Sequence, residues 1–379
     1  MSKLNYKNLS ITLLLLTTFN YIFFTQRFFE RENGYILGDW IINYEGGFIR
    51  RGFLGELILY ITKIFSFDLI IFSFIFVTFL YLIFIILLIK LINKSRINLI
   101  LAIIIFSPST ILFNFFDPLA IGRKEFIFFL FLLIYLLCDR SKVYIYFLSL
   151  LSIIITLTHE LFTFLIPFFF ISRLIECEDF NIKNYFLEFF IAFFSIIPFL
   201  FIIFFPNPDT KIICDYVKEF GLSSNVCWAI NDSNNIVPTK LFKSASYIND
   251  NYYFYYYLFS LALILVPIFL CLKFNFKYNL YKIIILIILT LLPVTMLFLF
   301  VNDWGRYLNV YSVFWMLILI NFNKKNDLQK INLMKLLVII IFASSWYMPH
   351  CCPERHFGNL KYKPGIYYLF ERINYRLNN

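Results

Sequence analysis

Long apolar runs alternate along this chain with short connections that hold nearly all of its charge. The runs cover residues 8–25, 68–91, 97–116, 119–138, 143–158, 160–175, 185–205, 253–272, 281–301, 307–322 and 333–347. Most of them approach the ~20 residues that a helix needs to cross about 30 Å of hydrocarbon. The pattern predicts an all-α, polytopic transmembrane bundle of about 11 spans. A shorter segment, 53–65, reads as an interfacial or re-entrant helix between the first outer loop and the second span. No long linker, low-complexity tract or clear repeat interrupts residues 1–347, which read as a single multi-pass domain. Its outer loops are 26–67 and 206–251, and a C-terminal tail follows at 348–379.

Orientation follows from the basic residues. An N-terminus inside puts Lys3/Lys7, Lys90/Lys94/Arg96, Arg140/Lys142, Arg173/Lys183, Lys273/Lys277/Lys282 and Lys324/Lys325/Lys330 on the inner side, which is the positive-inside pattern. Residues 143–175 read either as two short spans or as one tilted helix. Two spans keep the later lysine clusters inside, whereas one would move them across. The first run follows lysines as a signal peptide does, yet it lacks a small-residue cleavage site, so a retained helix is expected.

Composition agrees with the bilayer reading. The 379 residues are 61% hydrophobic, with 52 Phe and 26 Tyr, and the mean hydropathy is +0.79. The net charge of +10 sits in short loops that set orientation, so no nucleic-acid partner is implied. Oligomeric state is not legible.

The mixed-charge, chemically loaded segments all fall on the outer side of this topology. The stretch "GDWIINYEGGFIRRGFLGEL" (38–57) combines Asp39, Arg50 and Arg51 with Gly46 and Gly47. Guanidinium forks suit bidentate phosphate binding, and glycines let backbone approach a ligand or bend back into the interface. Alternatively, the arginines snorkel to headgroups. "DPLAIGRKEF" (117–126) places Arg123 and Lys124 six and seven residues after Asp117, inside an expected helix. Ionisable groups at such depth bind a ligand or pair internally, here with Glu125 or Asp117. His159 and Glu160 sit at a turn between spans, where a His of near-neutral pKa acts as a base, holds a phosphate, or is simply a satisfied polar residue. "NDWGRY" (302–307) offers Asp303 for hydroxyls, Trp304 for a sugar face and Arg306 for a phosphate; interfacial anchoring is the plainer role of its aromatics. Cys214 and Cys227 either form a disulfide in an oxidising compartment or remain free thiols. The H-x-x-x-H and C-x-x-C spacings of metal sites are absent, so no metal or other cofactor is expected.

Outer acids and arginines beside an interfacial helix suit a substrate that is part lipid and part sugar phosphate. In this arrangement the chain resembles the C-type integral-membrane glycosyltransferases, whose first outer loop carries an essential Asp followed by a juxtamembrane helix; Asp39 and segment 53–65 match by position. It also resembles bacterial O-antigen or capsule repeat-unit polymerases, whose outer arginines engage lipid pyrophosphate, a part that Arg50, Arg51, Arg123 and Arg306 would fill. These resemblances imply a surface-polysaccharide enzyme of the bacterial inner membrane, active at its outer face, among membrane lipids, with a polyprenyl-(pyro)phosphate-linked sugar or oligosaccharide as donor. Asp39, His159 and Asp303 would be catalytic; Arg50, Arg51, Asp117, Arg123, Lys124, Glu160, Trp304 and Arg306 would bind substrate. The alternative is a transporter or flippase of an anionic lipid or solute, which calls for a polar path through the bilayer.

Overall fold

The computed structural model describes residues 6–30, 34–117, 120–138, 141–177, 182–233, 253–274, 280–300, 303–323 and 333–346. The expected tail at 348–379 and the second half of the outer loop, 234–251, lie outside the described residues. Among the described residues all regular structure is helical. Five helices are long and apolar enough to cross a membrane: Tyr6–Glu30, Leu69–Lys94, Ile182–Phe204, Tyr256–Lys273 and Leu280–Phe298.

The chain divides into two compact units. One contains residues 18–87 and 122–238, the other 1–17, 88–121 and 239–379. The division falls inside two long helices, α1 (Tyr6–Glu30) and α4 (Leu69–Lys94).

In the first unit α1 is followed by the short helix α2 (Gly34–Trp40), and α3 (Gly52–Phe65) leads into α4. The expected segment 53–65 is a helix, α3, and its pattern explains its packing. Leu54, Ile58, Leu59 and Thr62 recur at helical spacing on a buried face, while Tyr60, Ile64 and Phe65 are exposed. Tyr21 of α1 stacks on Tyr81 of α4, with ring centroids 3.6 Å apart. Next come α7 (Phe126–Leu137), α8 (Lys142–Thr158), α9 (Ile166–Cys177) and α10 (Phe186–Phe204). Helices α8 and α10 pack along one another, with Thr156 and Ser195 hydroxyls 2.8 Å apart across the seam. Such small polar contacts join helices where hydrocarbon offers no other partner.

After α10, residues 207–209 run beside 46–48: the Asp209 N–H donates to the Gly46 carbonyl at 2.7 Å, and Asn207 N–H to the Phe48 carbonyl at 3.1 Å. Helices α11 (Thr210–Lys218) and α12 (Cys227–Ser233) follow, joined by a Cys214–Cys227 disulfide with a Cα–Cα distance of 5.6 Å. The 224–233 segment packs on α2. A Cβ on Gly38 would stand 2.2 Å from the Val226 carbonyl oxygen, and one on Gly46 2.2 Å from that of Asp209. These contacts account for part of the glycine content of 38–57: backbone touches backbone there.

The second unit contains the broken segment α5 (Leu99–Ile105) and α6 (Phe113–Phe116), then α13 (Tyr253–Phe274), α14 (Leu280–Phe300), α15 (Trp304–Phe322) and α16 (Leu333–Ser345). Every residue of α15 from Trp304 to Ile320 is buried, so it is a central helix rather than a lipid-facing one. The expected continuous span 97–116 is therefore corrected to two short helices. Pro108 follows Ser107 at the break, and the Thr110 hydroxyl takes up the carbonyls of Ile104 and Ile105 that the helix releases. Ser109 and Ser312 hydroxyls lie 2.8 Å apart, and the Asn309 amide donates to the Ser109 and Thr110 carbonyls at 2.9 and 3.1 Å. The interior of the break is thereby satisfied.

Candidate functional site

Three connections of the first unit meet in one buried cluster. The end of α2 brings Asp39, and the turn before α3 brings Arg50 and Arg51. The turn before α7 brings Arg123, Lys124 and Glu125, and the junction of α8 with α9 brings His159 and Glu160. Each connection was expected on the outer side of the membrane from charge distribution alone.

Arg51 is the hub. Its backbone is left-handed, with φ 67° and ψ 8°, an uncommon state for a residue with a Cβ. The turn sends its carbonyl to the Lys124 ammonium, which donates to it at 3.1 Å. The guanidinium meets two acids: Nη1 lies 3.5 Å from Asp39 Oδ1, and Nη2 donates to Glu160 Oε1 at 3.0 Å. Arg50 Nη1 donates to the same Glu160 oxygen at 2.7 Å. Trp40 braces the Lys124 turn: its indole N–H donates to the Gly122 carbonyl at 2.5 Å, and Lys124 Nζ sits 5.8 Å from its ring centroid. Arg123 lies over the Tyr35 ring at 4.3 Å.

Arg123 and Lys124 are not on a helix, contrary to expectation. Gly122 has φ +73°, which ends any helical course, and α7 starts only at Phe126. The apolar run hid this break, because residues 119–121 are as hydrophobic as the helix that follows.

None of these groups lies on one of the five helices long and apolar enough to cross a membrane. Burial alone would push the Asp39 carboxyl up, but Lys124 and Arg51 outweigh it and hold the group well below the usual carboxylate range. Asp39 is ionised, and its Oδ2 has no hydrogen-bond partner among the described residues. Burial drags Lys124 down to about 8, with Asp39 opposing the shift. Burial, then Arg51, takes His159 down to about 3. The expectation of a near-neutral His159 is therefore corrected: the imidazole is uncharged. Its Nδ1 accepts from the Leu161 N–H at 3.3 Å, which assigns the proton to Nε2. Nε2 stands 4.0 Å from Glu125 Oε1 and has no hydrogen-bond partner among the described residues. The interior thus holds an anionic oxygen and an N–H donor without a hydrogen-bond partner among the described residues.

The remaining candidates belong to the other unit. Asp303 and Arg306 form an ion pair of 2.5 Å within one helical turn at the start of α15. Trp304 is buried, donates to the Phe298 carbonyl at 2.9 Å and packs edge-on to Tyr257. Asp117 caps α6 and is fully buried. Sequence reasoning missed Tyr35 as the ring beneath Arg123, and it treated Glu125 only as an internal partner. Neither carries a local signal, since aromatic residues are everywhere in this chain. Among the described residues no three His, Cys, Asp or Glu side chains converge as metal ligands would.

The arrangement is suited to holding an anion. Four cations surround three carboxylates in a protein interior, where an isolated charge is costly and an added anion is well stabilised. Comparison with protein-family models, with curated proteins and with solved structures finds no match to this chain.

Proposed function

We propose that this chain is a membrane glycosyltransferase or repeat-unit polymerase for surface polysaccharide, taking a polyprenyl-(pyro)phosphate-linked sugar at the outer membrane face. The topology that goes with this reading has about 11 crossings and the N-terminus inside. One observation carries it: ionised Asp39, whose Oδ2 has no hydrogen-bond partner among the described residues, sits among buried Arg51, Arg123 and Lys124, with Arg50 beside them on Glu160. In the reaction the bond from the sugar's anomeric carbon to the phosphate oxygen breaks. A bond to the acceptor hydroxyl forms, and that hydroxyl's proton passes to Asp39. The four cations hold the phosphate, and the His159 Nε2–H donates to a sugar or leaving oxygen.

Asp39 is a weak base in the empty site, because Lys124 and Arg51 stabilise its charge. A phosphate bound to those cations offsets their pull and raises the basicity of Asp39. The donor therefore switches on its own base. Asp303 and Arg306, which form an ion pair with one another, take no chemical part in this proposal.

The test is surface glycan and lipid-linked oligosaccharide in a deletion strain carrying Asp39→Asn. The variant is isosteric, and loss of a positioned base is expected to cut product by ~100-fold or more. Accumulated single repeats identify a polymerase, and a truncated repeat identifies a transferase. Normal glycan at normal protein level removes the reading. The transporter alternative draws on the discontinuous 99–116 segment, since broken helices line many transport sites. It predicts a complete lipid-linked repeat retained on the cytosolic side in the deletion strain.

A further inference from the structure

Glu160 is gripped by two arginines at once. Arg50 Nη1 reaches Oε1 at 2.7 Å, Arg51 Nη2 reaches Oε1 at 3.0 Å, and Arg51 Nε lies 3.3 and 3.2 Å from Oε1 and Oε2. Two guanidinium forks around one carboxylate make a seat that fits an oxyanion in general. The position of this seat separates it from Asp39 and His159. The Arg50 and Glu160 side chains are 11% and 13% exposed, whereas those of Asp39 and His159 are 2% and 0% exposed. Arg50 and Glu160 therefore lie nearer the protein surface than Asp39 and His159, whose Oδ2 and Nε2 have no hydrogen-bond partner among the described residues.

We propose that Glu160 is a resident placeholder: it fills the Arg50–Arg51 seat in the ligand-free protein and is displaced when the phosphate of an incoming phosphate ester or diphosphate binds there. The inference rests on the phosphate-binding half of the proposed function. The sequence builds the device from one junction. His159 ends α8 in an extended conformation, with φ −163°, and the following 3-10 turn starts on Glu160, so adjacent residues reach the same cluster. The placeholder meets two physical needs. Arg50 and Arg51 are not left buried without counter-charge between turnovers. A neutral lipid cannot enter the seat, because only a ligand with charge and several acceptor oxygens offers more than the carboxylate it replaces.

The full-length protein in phosphatidylcholine nanodiscs tests this, with inorganic pyrophosphate as probe in one arm and a polyprenyl monophosphate built into the nanodisc in the other. Glu160→Gln removes the competitor and keeps the shape, so it is expected to bind the probe at least ~10-fold tighter than the unmodified protein. Adding Arg50→Ala to that variant is expected to abolish the gain. Glu160→Gln alone unfolds at lower temperature, and pyrophosphate restores its midpoint more than it raises that of the unmodified protein. Should Glu160→Gln fold poorly, Glu160→Asp gives the same sign with a smaller gain. A gain in the pyrophosphate arm supports a free phosphate as the displacing group, and a gain confined to the lipid arm supports a headgroup. Equal or weaker binding by folded Glu160→Gln, with binding by the unmodified protein retained, overturns the placeholder and leaves the proposed reaction standing. No binding by the unmodified protein in either arm removes both.

Discussion

The Asp-Trp dipeptide occurs at Asp39–Trp40 and again at Asp303–Trp304, each with arginine nearby in the sequence. Around Asp303 the ion pair is local. Arg306 pairs with it three residues on in the same helix, the Asp303 side chain is 20% exposed, and the Trp304 indole donates to the Phe298 carbonyl. Around Asp39 nothing closes locally. Its arginine partner is twelve residues away, and that arginine is shared with Glu160, more than a hundred residues further on. Trp40 braces the turn that delivers Lys124. The same residue types thus make a helix start in one place and a charged interior in the other. Convergence from several connections, not the dipeptide, marks the candidate site.

Arginine deletions give the largest expected contrast. Arg51→Ala leaves Glu160 and Asp39 short of counter-charge in a buried setting, which is expected to cost about 3–5 kcal/mol. Arg306→Ala frees a single carboxylate that is 20% exposed, so a smaller loss is expected, about 1.5–3 kcal/mol. Thermal unfolding in detergent reads both, and equal losses would erase the distinction between the two segments. Next in size is Cys214→Ser. The disulfide closes a loop of 13 residues, so its loss is expected to cost about 3 kcal/mol. Reductant should lower the melting midpoint of the unmodified protein and leave that of the variant unchanged. Gly38→Ala comes third: its methyl meets the Val226 carbonyl, and overpacking of this kind costs about 1–3 kcal/mol.

A pH series sharpens the comparison further, because the Asp303 pair has no histidine. The folded value of His159 is about 3, below the ~6.5 of an unfolded chain. As pH falls, the unfolded chain takes up the proton first, so the contribution of neutral His159 is complete above ~6.5. It is lost progressively toward the folded value, by at most about 1.4 kcal/mol per pH unit. Glu160 and Asp39 stay ionised through the upper part of that window. His159→Gln should flatten the melting-midpoint profile between about pH 6.5 and 5; an unchanged slope would mean that His159 is not the group responsible.

Much of the architecture was legible in the apolar runs, since a helix in hydrocarbon must satisfy its own backbone. The 53–65 helix, the break beside His159 and the helices from 253 onward all follow from run length and charge. The breaks at 106–112 and 120–125 did not follow from run length, because Ser107–Pro108–Ser109–Thr110 and Gly122–Arg123–Lys124–Glu125 are short polar interruptions that a reading by span length carries through. Hydropathy does not register a left-handed Gly122 or a hydroxyl that rescues a carbonyl. For the site, the charged residues were readable and their pairing was not. That Glu160 sits between Arg50 and Arg51 is a property of helix packing across 109 and 110 residues of sequence. The neutrality of His159 is likewise a property of what surrounds it.

That spacing has a consequence for biogenesis. On the proposed topology Arg50 and Arg51 must be translocated early, against the preference of basic residues for the cytosol. Glu160, the counter-charge they share, is 110 and 109 residues away and unmade at that moment. At ~5–20 residues per second the gap lasts about 5–20 s. The nascent first loop therefore needs a wet, insertase-sheltered path until the α8–α9 junction arrives, and slowed synthesis between these segments should trap the chain with its first loop on the wrong side.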